Sequence, residues 1–133
     1  MRALFFSVVF CLGWVVAAQA QQSEIEGTIS GQIEAFRADD FETAFTFATP
    51  RLRDLFQTPE NFRTMVTQGY PMVWRPAELR FLDLRGEGGT YWQTVMVTDA
   101  QGVYHLLEYL MQETPDGWRI GGVRILDQGT SSA

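Results

Sequence analysis

The sequence predicts an α+β domain: N-terminal helices packed on one face of a curved antiparallel sheet of four or more strands. Three observations predict it. Apolar residues recur at helical spacing from Gln22 to Gly69. After Gly69 the pattern changes to alternation. Three tight-turn signals, "GEGG", "DAQG" and "TPDG", then divide the second half into four strands joined hairpin to hairpin. Helices grouped ahead of a continuous meander segregate into two layers.

The first helix spans Gln22 to Ala38. Ile25, Ile29, Ile33 and Phe36 make one apolar stripe, and Ser23 with Glu26 fits a capping box at its start. Gly27 and Gly31 each weaken this helix by about 1 kcal/mol relative to alanine, so the stripe needs tertiary support. Asp39 or Asp40 caps a second, short helix with Phe41, Ala44, Phe45 and Ala48 on its buried side, and Pro50 ends it. Arg51 to Phe56 adds one further turn. A third helix starts at Thr58, with Pro59 at its first position, presents Phe62, Met65 and Val66, and stops at Gly69. "YPMVWRP" (Tyr70–Pro76) reads as extended, because its prolines oppose helix. The strands are Leu79–Arg85, Tyr91–Thr98, Val103–Gln112 and Trp118–Leu126.

The first twenty residues differ from the rest. Arg2 precedes an apolar run from Ala3 to Ala17, and Ala18-Gln19-Ala20 follows. This is the three-part pattern of a secretory signal peptide. The expected organisation is therefore a signal peptide over 1–20, one domain over 21–127 and a loose tail over 128–133, with a periplasmic or secreted product and no membrane attachment after cleavage. The single cysteine, Cys11, leaves with the signal, so the core alone must hold the exported domain. The chain carries ten basic residues against sixteen acidic ones, a net charge of −6. An acidic domain repels phosphate backbones, which excludes nucleic acid as an expected partner.

Three helical segments followed by a long meander ending in "DGWRIGGVRIL" resemble the nuclear-transport-factor-2-like (cystatin-like) superfamily. More narrowly, "AFRADDFETAFTFATPRLRDLF", "YPMVWRP" and "GWRIGGVRIL" resemble the bacterial domain-of-unknown-function family 4864. The resemblance implies a cone-shaped fold, with a curved sheet wrapping a long helix around a conical pocket. It implies no particular activity, because this fold hosts isomerases, dehydratases, ligand binders and interaction domains.

Alternation carried through the turns assigns the faces. A three-residue loop at "DAQG", with Gly102 in the left-handed position, places Val95, Val97, His105 and Leu107 together. A two-residue turn at Asp116-Gly117 places Met111 opposite Gly122. One face then carries Tyr91, Gln93, His105, Tyr109, Trp118, Ile120 and Arg124. The other carries Trp92, Met96, Leu106, Glu108, Leu110, Val123 and Ile125. The first face is the expected core and pocket wall, with Trp118 and Ile120 packed under the helices. Arg124 on that face needs a partner, for which Glu34, Asp40 or Glu113 are candidates. It is either a structural ion pair or a ligand contact. The second face is apolar enough to serve as a homodimer interface.

The expected ligand-binding set is Tyr70, Trp74, Arg75, Tyr91, Gln93, His105, Tyr109 and Arg124, around a small apolar ligand. Trp74 in the crossover loop either recognises ligand at the mouth or plugs the open end of the cone. No metal or cofactor is expected. The mature chain offers no cysteine and one histidine, His105, which falls short of a zinc ligand set. Asp39, Asp40 and Glu42 lack calcium-loop spacing. The serines lie in the first helix and the tail, which disfavours a Ser-His-Asp triad. "GEGG" lacks the lysine of a phosphate loop. Two functions follow: an exported binding or interaction module, or a small acid–base enzyme of isomerase or dehydratase type, with Tyr91, Tyr109 and His105 around a carbonyl and Asp40 as base.

Overall fold

The computed structural model describes residues 2–126, with side chains from Ala18 onward. The expected tail over 128–133 lies outside the described residues. Five helices precede the sheet: α1 (Arg2–Arg37), α2 (Phe41–Thr46), α3 (Pro50–Phe56), α4 (Pro59–Gly69) and α5 (Pro71–Trp74). Four strands follow: β1 (Glu78–Glu87), β2 (Thr90–Thr98), β3 (Tyr104–Thr114) and β4 (Gly117–Ile125). They form one antiparallel sheet in the order β1-β2-β3-β4. The fold is α+β.

The α1 stripe is the centre of the core. Ile25, Ile29, Ile33 and Phe36 are at most 1% exposed, and they face Val95, Val97, Leu107, Tyr109, Met111, Trp118 and Ile120 of the sheet. Each such side chain contributes about 1.5–3 kcal/mol by leaving water. Gly31 earns its place by packing: a Cβ there would stand 2.9 Å from the Phe47 ring. The helix does not begin at Ser23. Helical backbone runs through that position, so the donors a cap would serve are bonded within the preceding turns. Gln22 Nε2 instead donates to Glu26.

Two prolines start helices rather than end them. Pro50 and Pro71 each occupy the first turn of a helix, α3 and α5, where a missing N–H costs nothing. The Thr49 hydroxyl caps α3, and Asp40 caps α2. "YPMVWRP" is therefore a single helical turn flanked by short connections, not an extended segment.

The β2–β3 hairpin has the expected register, with Val97 opposite His105 and Val95 opposite Leu107. Its loop closes through Asp99 N–H to the Val103 carbonyl, and Gly102 adopts φ +85°. The β3–β4 hairpin differs. Its turn is Pro115-Asp116, with Thr114 opposite Gly117 and Met111 opposite Ile120; one extra residue at Gly121 then shifts the register, so that Leu110 faces Gly122 and Tyr109 faces Val123. A bulge of this kind reverses the facing of everything beyond it. Trp118 and Ile120 are core residues, as expected. Val123 joins them on the inner face, whereas Arg124 pairs with Glu108 on the outer face.

Both edges of the sheet are modified. Along β4, Ile120 N–H donates to the Phe47 carbonyl at 2.8 Å, and Thr49 N–H donates to the Ile120 carbonyl at 2.9 Å. The α2–α3 junction thus lies on β4 as a short parallel bridge. Along β1, a register shift falls between Phe81 and Leu84.

Candidate functional site

A cavity of about 250 Å³ lies between the helices and the inner face of β3 and β4. Its floor is buried: Gln32 and Phe36 from α1, Phe62 and Val66 from α4, Tyr109 from β3 and Ile120 from β4. Its mouth is half-buried: Leu52 and Phe56 from α3, Met65 from α4, then Tyr70 and Val123. Leu52 and Phe56 are four residues apart on α3 and so share the face turned to the cavity. The Phe62 ring stands 5.9 Å from Phe36 and 5.8 Å from Phe56, an aromatic wall on one side. Among the described residues, no acidic, basic or imidazole side chain lines the cavity.

Two tyrosines line it in opposite states. Tyr70 donates its hydroxyl to the Val123 carbonyl at 3.1 Å, which ties the α4–α5 junction to the strand just past the bulge. Tyr109 is fully buried, and its hydroxyl has no partner among the described residues. Burial pushes that hydroxyl well above the usual phenol range, so it is a neutral donor at every physiological pH. A buried hydroxyl without a partner costs about 1–3 kcal/mol. The other polar side chain of the floor, Gln32, gives its amide nitrogen to the Ala44 carbonyl at 3.2 Å.

Among the described residues no helix is long and apolar enough to cross a membrane, and no cluster of His, Cys, Asp or Glu is arranged to hold a metal ion. The match of the family model of the domain of unknown function DUF4864 runs over residues 18–133. The chain belongs to this family. As a member of DUF4864 it is also similar in structure to RPA3114, a SEC-C motif containing protein from Rhodopseudomonas palustris: 18% identity, 88% of this chain and 90% of that one covered, TM-score 0.58. An NTF-2 like protein of unknown function from Burkholderia xenovorans LB400 aligns at 12% identity over 84% of this chain and 90% of its own, TM-score 0.49. No curated protein matches the chain in sequence.

Of the eight residues expected to share a site in this DUF4864 member, only Tyr70 and Tyr109 meet in the cavity. Trp74, Arg75 and His105 line a second hollow of about 270 Å³, between α5 and the β2–β3 loop. Its polar groups are matched internally. Asp39 accepts from Trp74 Nε1 at 2.9 Å and from Arg75 Nη2 at 2.9 Å, and the Trp74 bond is the first cause that holds its carboxyl below the usual range. Trp74 also packs on Phe41 at 6.5 Å, so it closes the core at this end. His105 Nε2 lies 2.8 Å from Asp99, whose carboxylate also accepts two loop N–H groups. Tyr91 sits edge-on to Trp118 at 5.3 Å and donates to Gln21. Gln93 is fully buried and donates to the Leu82 and Asp83 carbonyls, holding the β1 irregularity.

Arg124 is the clear departure. The bulge puts it on the outer face, where its partner is Glu108 and none of Glu34, Asp40 or Glu113. Glu108 is 5% exposed there, bonded by Arg85 at 2.8 Å and by Arg124, with both guanidiniums over the Trp92 ring at 5.7 and 5.5 Å. The arginine bonds, Arg85 first, hold the Glu108 carboxyl below its usual range against the opposing effect of burial.

The helical wall of the cavity was absent from the sequence expectation. One signal for it existed. Gln32 falls three residues after Ile29 and four before Phe36, so a polar amide occupies a position of the apolar stripe.

Proposed function

We propose that this domain is a binding module that takes a small, uncharged, mainly apolar molecule into the cavity beneath α3 and α4. Tyr109, a lining residue of a mainly apolar cavity whose buried hydroxyl has no partner among the described residues, carries this reading. A buried donor left unmatched is uncommon, and a ligand acceptor is one way to match it. The size suits the reading: an engineered cavity of about 150 Å³ takes up benzene, so about 250 Å³ suits a molecule of one or two rings. The acid–base alternative finds less support. A general base must reach the reacting proton, yet the cavity lining holds no carboxylate or imidazole, Asp40 is engaged in capping α2, and His105 opens on the other hollow.

The test is titration of the 15N-labelled protein with tetralin, a neutral two-ring hydrocarbon. Amide signals of Gln32, Tyr109 and Val123 are expected to shift together and saturably, and Val123→Phe, which fills the mouth, is expected to abolish the response. Shifts confined to the outer sheet face, or none at all, refute the proposal.

Export and self-association complete the proposal. Removal of residues 1–20 suits the fold, because Ala18, Gln19 and Ala20 are exposed and the buried stripe begins at Ile25. Pairing of two copies through the outer sheet face is supported by Trp92, Met96, Leu106 and Leu110, which form an apolar row beside the Arg85–Glu108–Arg124 cluster.

A further inference from the structure

We infer that the cavity selects ligands that carry a neutral carbonyl oxygen, which accepts the Tyr109 hydroxyl; the inference rests on the cavity being a ligand site. Three properties of the floor point to this class. First, the free group is a donor. Its raised pKa keeps the proton in place, so its counterpart is an acceptor. Second, the lining holds no cation among the described residues. A carboxylate or phosphate brought here would lose its hydration without a counter-charge, which costs far more than one hydrogen bond returns. Third, the surroundings are apolar, with Phe36, Phe62, Val66 and Ile120 about the floor. An alcohol would bring a second proton that itself needs an acceptor, whereas a ketone, ester or quinone oxygen only accepts.

Discrimination should be sharper than for a solvated tyrosine. Tyr109 is 0% exposed, so its hydroxyl gives up no bond to water when a ligand arrives. An ordinary protein–ligand hydrogen bond replaces two bonds to water, and its net worth is small for that reason. Here only the ligand's own carbonyl is dehydrated. Because Tyr109 is closed to water, side chains of the lining must shift before a ligand oxygen meets its hydroxyl, and the half-buried Leu52, Phe56 and Met65 are those at the mouth.

The experiment compares three ligands of one shape, namely 1-tetralone, 1-tetralol and tetralin, together with 1-naphthoate, on the wild-type chain and on Tyr109→Phe, by the same amide titration. In wild type, tetralone is expected to bind about tenfold or more tightly than tetralin, as one buried hydrogen bond implies. It is also expected to bind more tightly than tetralol, and naphthoate is expected not to bind. In Tyr109→Phe the advantage of tetralone over tetralin is expected to vanish. If tetralin and tetralone bind wild type equally, or tetralol or naphthoate binds best, the carbonyl inference is overturned while the binding site stands. If none of the four binds, the binding site falls and the inference with it. If the tetralone advantage persists in Tyr109→Phe, another group is the donor and the assignment to Tyr109 is wrong.

Discussion

Replacing Tyr109 by phenylalanine should stabilise this protein. The side chain is fully buried and its hydroxyl is unmatched among the described residues, so the folded state carries a dehydration cost that the unfolded chain does not. Relief of that cost is worth about 1–3 kcal/mol. Against it stands the space of one oxygen atom, on the order of 10 Å³, which at about 24 cal/mol per Å³ subtracts only about 0.2 kcal/mol. A net gain of about 1–3 kcal/mol remains. For a chain of 133 residues this corresponds to a rise in Tm of roughly 4–12 °C. Urea unfolding followed by circular dichroism, with thermal melts in parallel, measures both. Tyr70→Phe is the control from the same cavity. Its hydroxyl is bonded to the Val123 carbonyl, so its loss should cost about 0.5–1.5 kcal/mol. Opposite signs for two Tyr→Phe changes in one cavity are hard to produce by any general effect on packing. A clear destabilisation by Tyr109→Phe would refute the reasoning, because it would mean that the hydroxyl already has a partner.

Four further outcomes are expected. Glu108→Gln should destabilise the chain by about 1–3 kcal/mol at neutral pH, since it removes the charge that two arginines bond. The Glu108 carboxyl is held below its ordinary value of 4.5, so its contribution is complete above that pH and is lost as pH falls through the lower folded value; denaturant midpoints of wild type should therefore converge on those of Glu108→Gln in acid, and parallel pH profiles would contradict this. His105→Gln should leave tetralin and tetralone affinities unchanged, because His105 lines the other hollow; a loss of affinity in a folded variant would argue against the assigned cavity. Mass spectrometry of the envelope fraction should find a mature N-terminus at Gln21 or within a few residues of it, and an intact Met1 in a soluble fraction would end the export proposal. Sedimentation at micromolar concentration should show a dimer that Met96→Glu shifts toward monomer, since a charge placed in an apolar contact lacks a partner; a monomer in both cases would dismiss the interface.

Much of the layer plan could be read from the chain because it depends on local signals. The α1 stripe, the Thr58-Pro59 helix start and the Gly102 loop each follow from a few neighbouring residues. What could not be read are the points where one residue decides between two arrangements. In "RIGGVRI" alternation alone cannot reveal that Gly121 is an extra residue, and the whole difference between Arg124 as a pocket cation and Arg124 as an outer-face partner of Glu108 lies there. Pro50 and Pro71 posed a similar ambiguity, since proline both ends helices and begins them. The cavity was harder still. Its walls come from four helices whose placement on the sheet is a tertiary matter, so Leu52 and Phe56 read only as part of one further turn and Met65 as part of a helix's apolar face. Tyr109 was legible because strand alternation put it on the inner face, and Tyr70 because it stands in the aromatic crossover segment between helices and sheet.

The two modified edges of the sheet bear on how such a chain avoids its own copies. A bare strand edge is a template that recruits another strand, and the hazard is greatest while a chain is only partly folded. Here the 47–49 segment occupies the β4 edge at Ile120. The opposite edge, β1, alternates charge along its length with Glu78, Arg80, Asp83, Arg85 and Glu87, and its register breaks at Leu82–Asp83. A second molecule approaching that edge would meet like charges out of step and a ladder that cannot be continued. Strand-by-strand growth into fibrils is thereby hindered at one end by the bridge at Ile120 and at the other by mismatch.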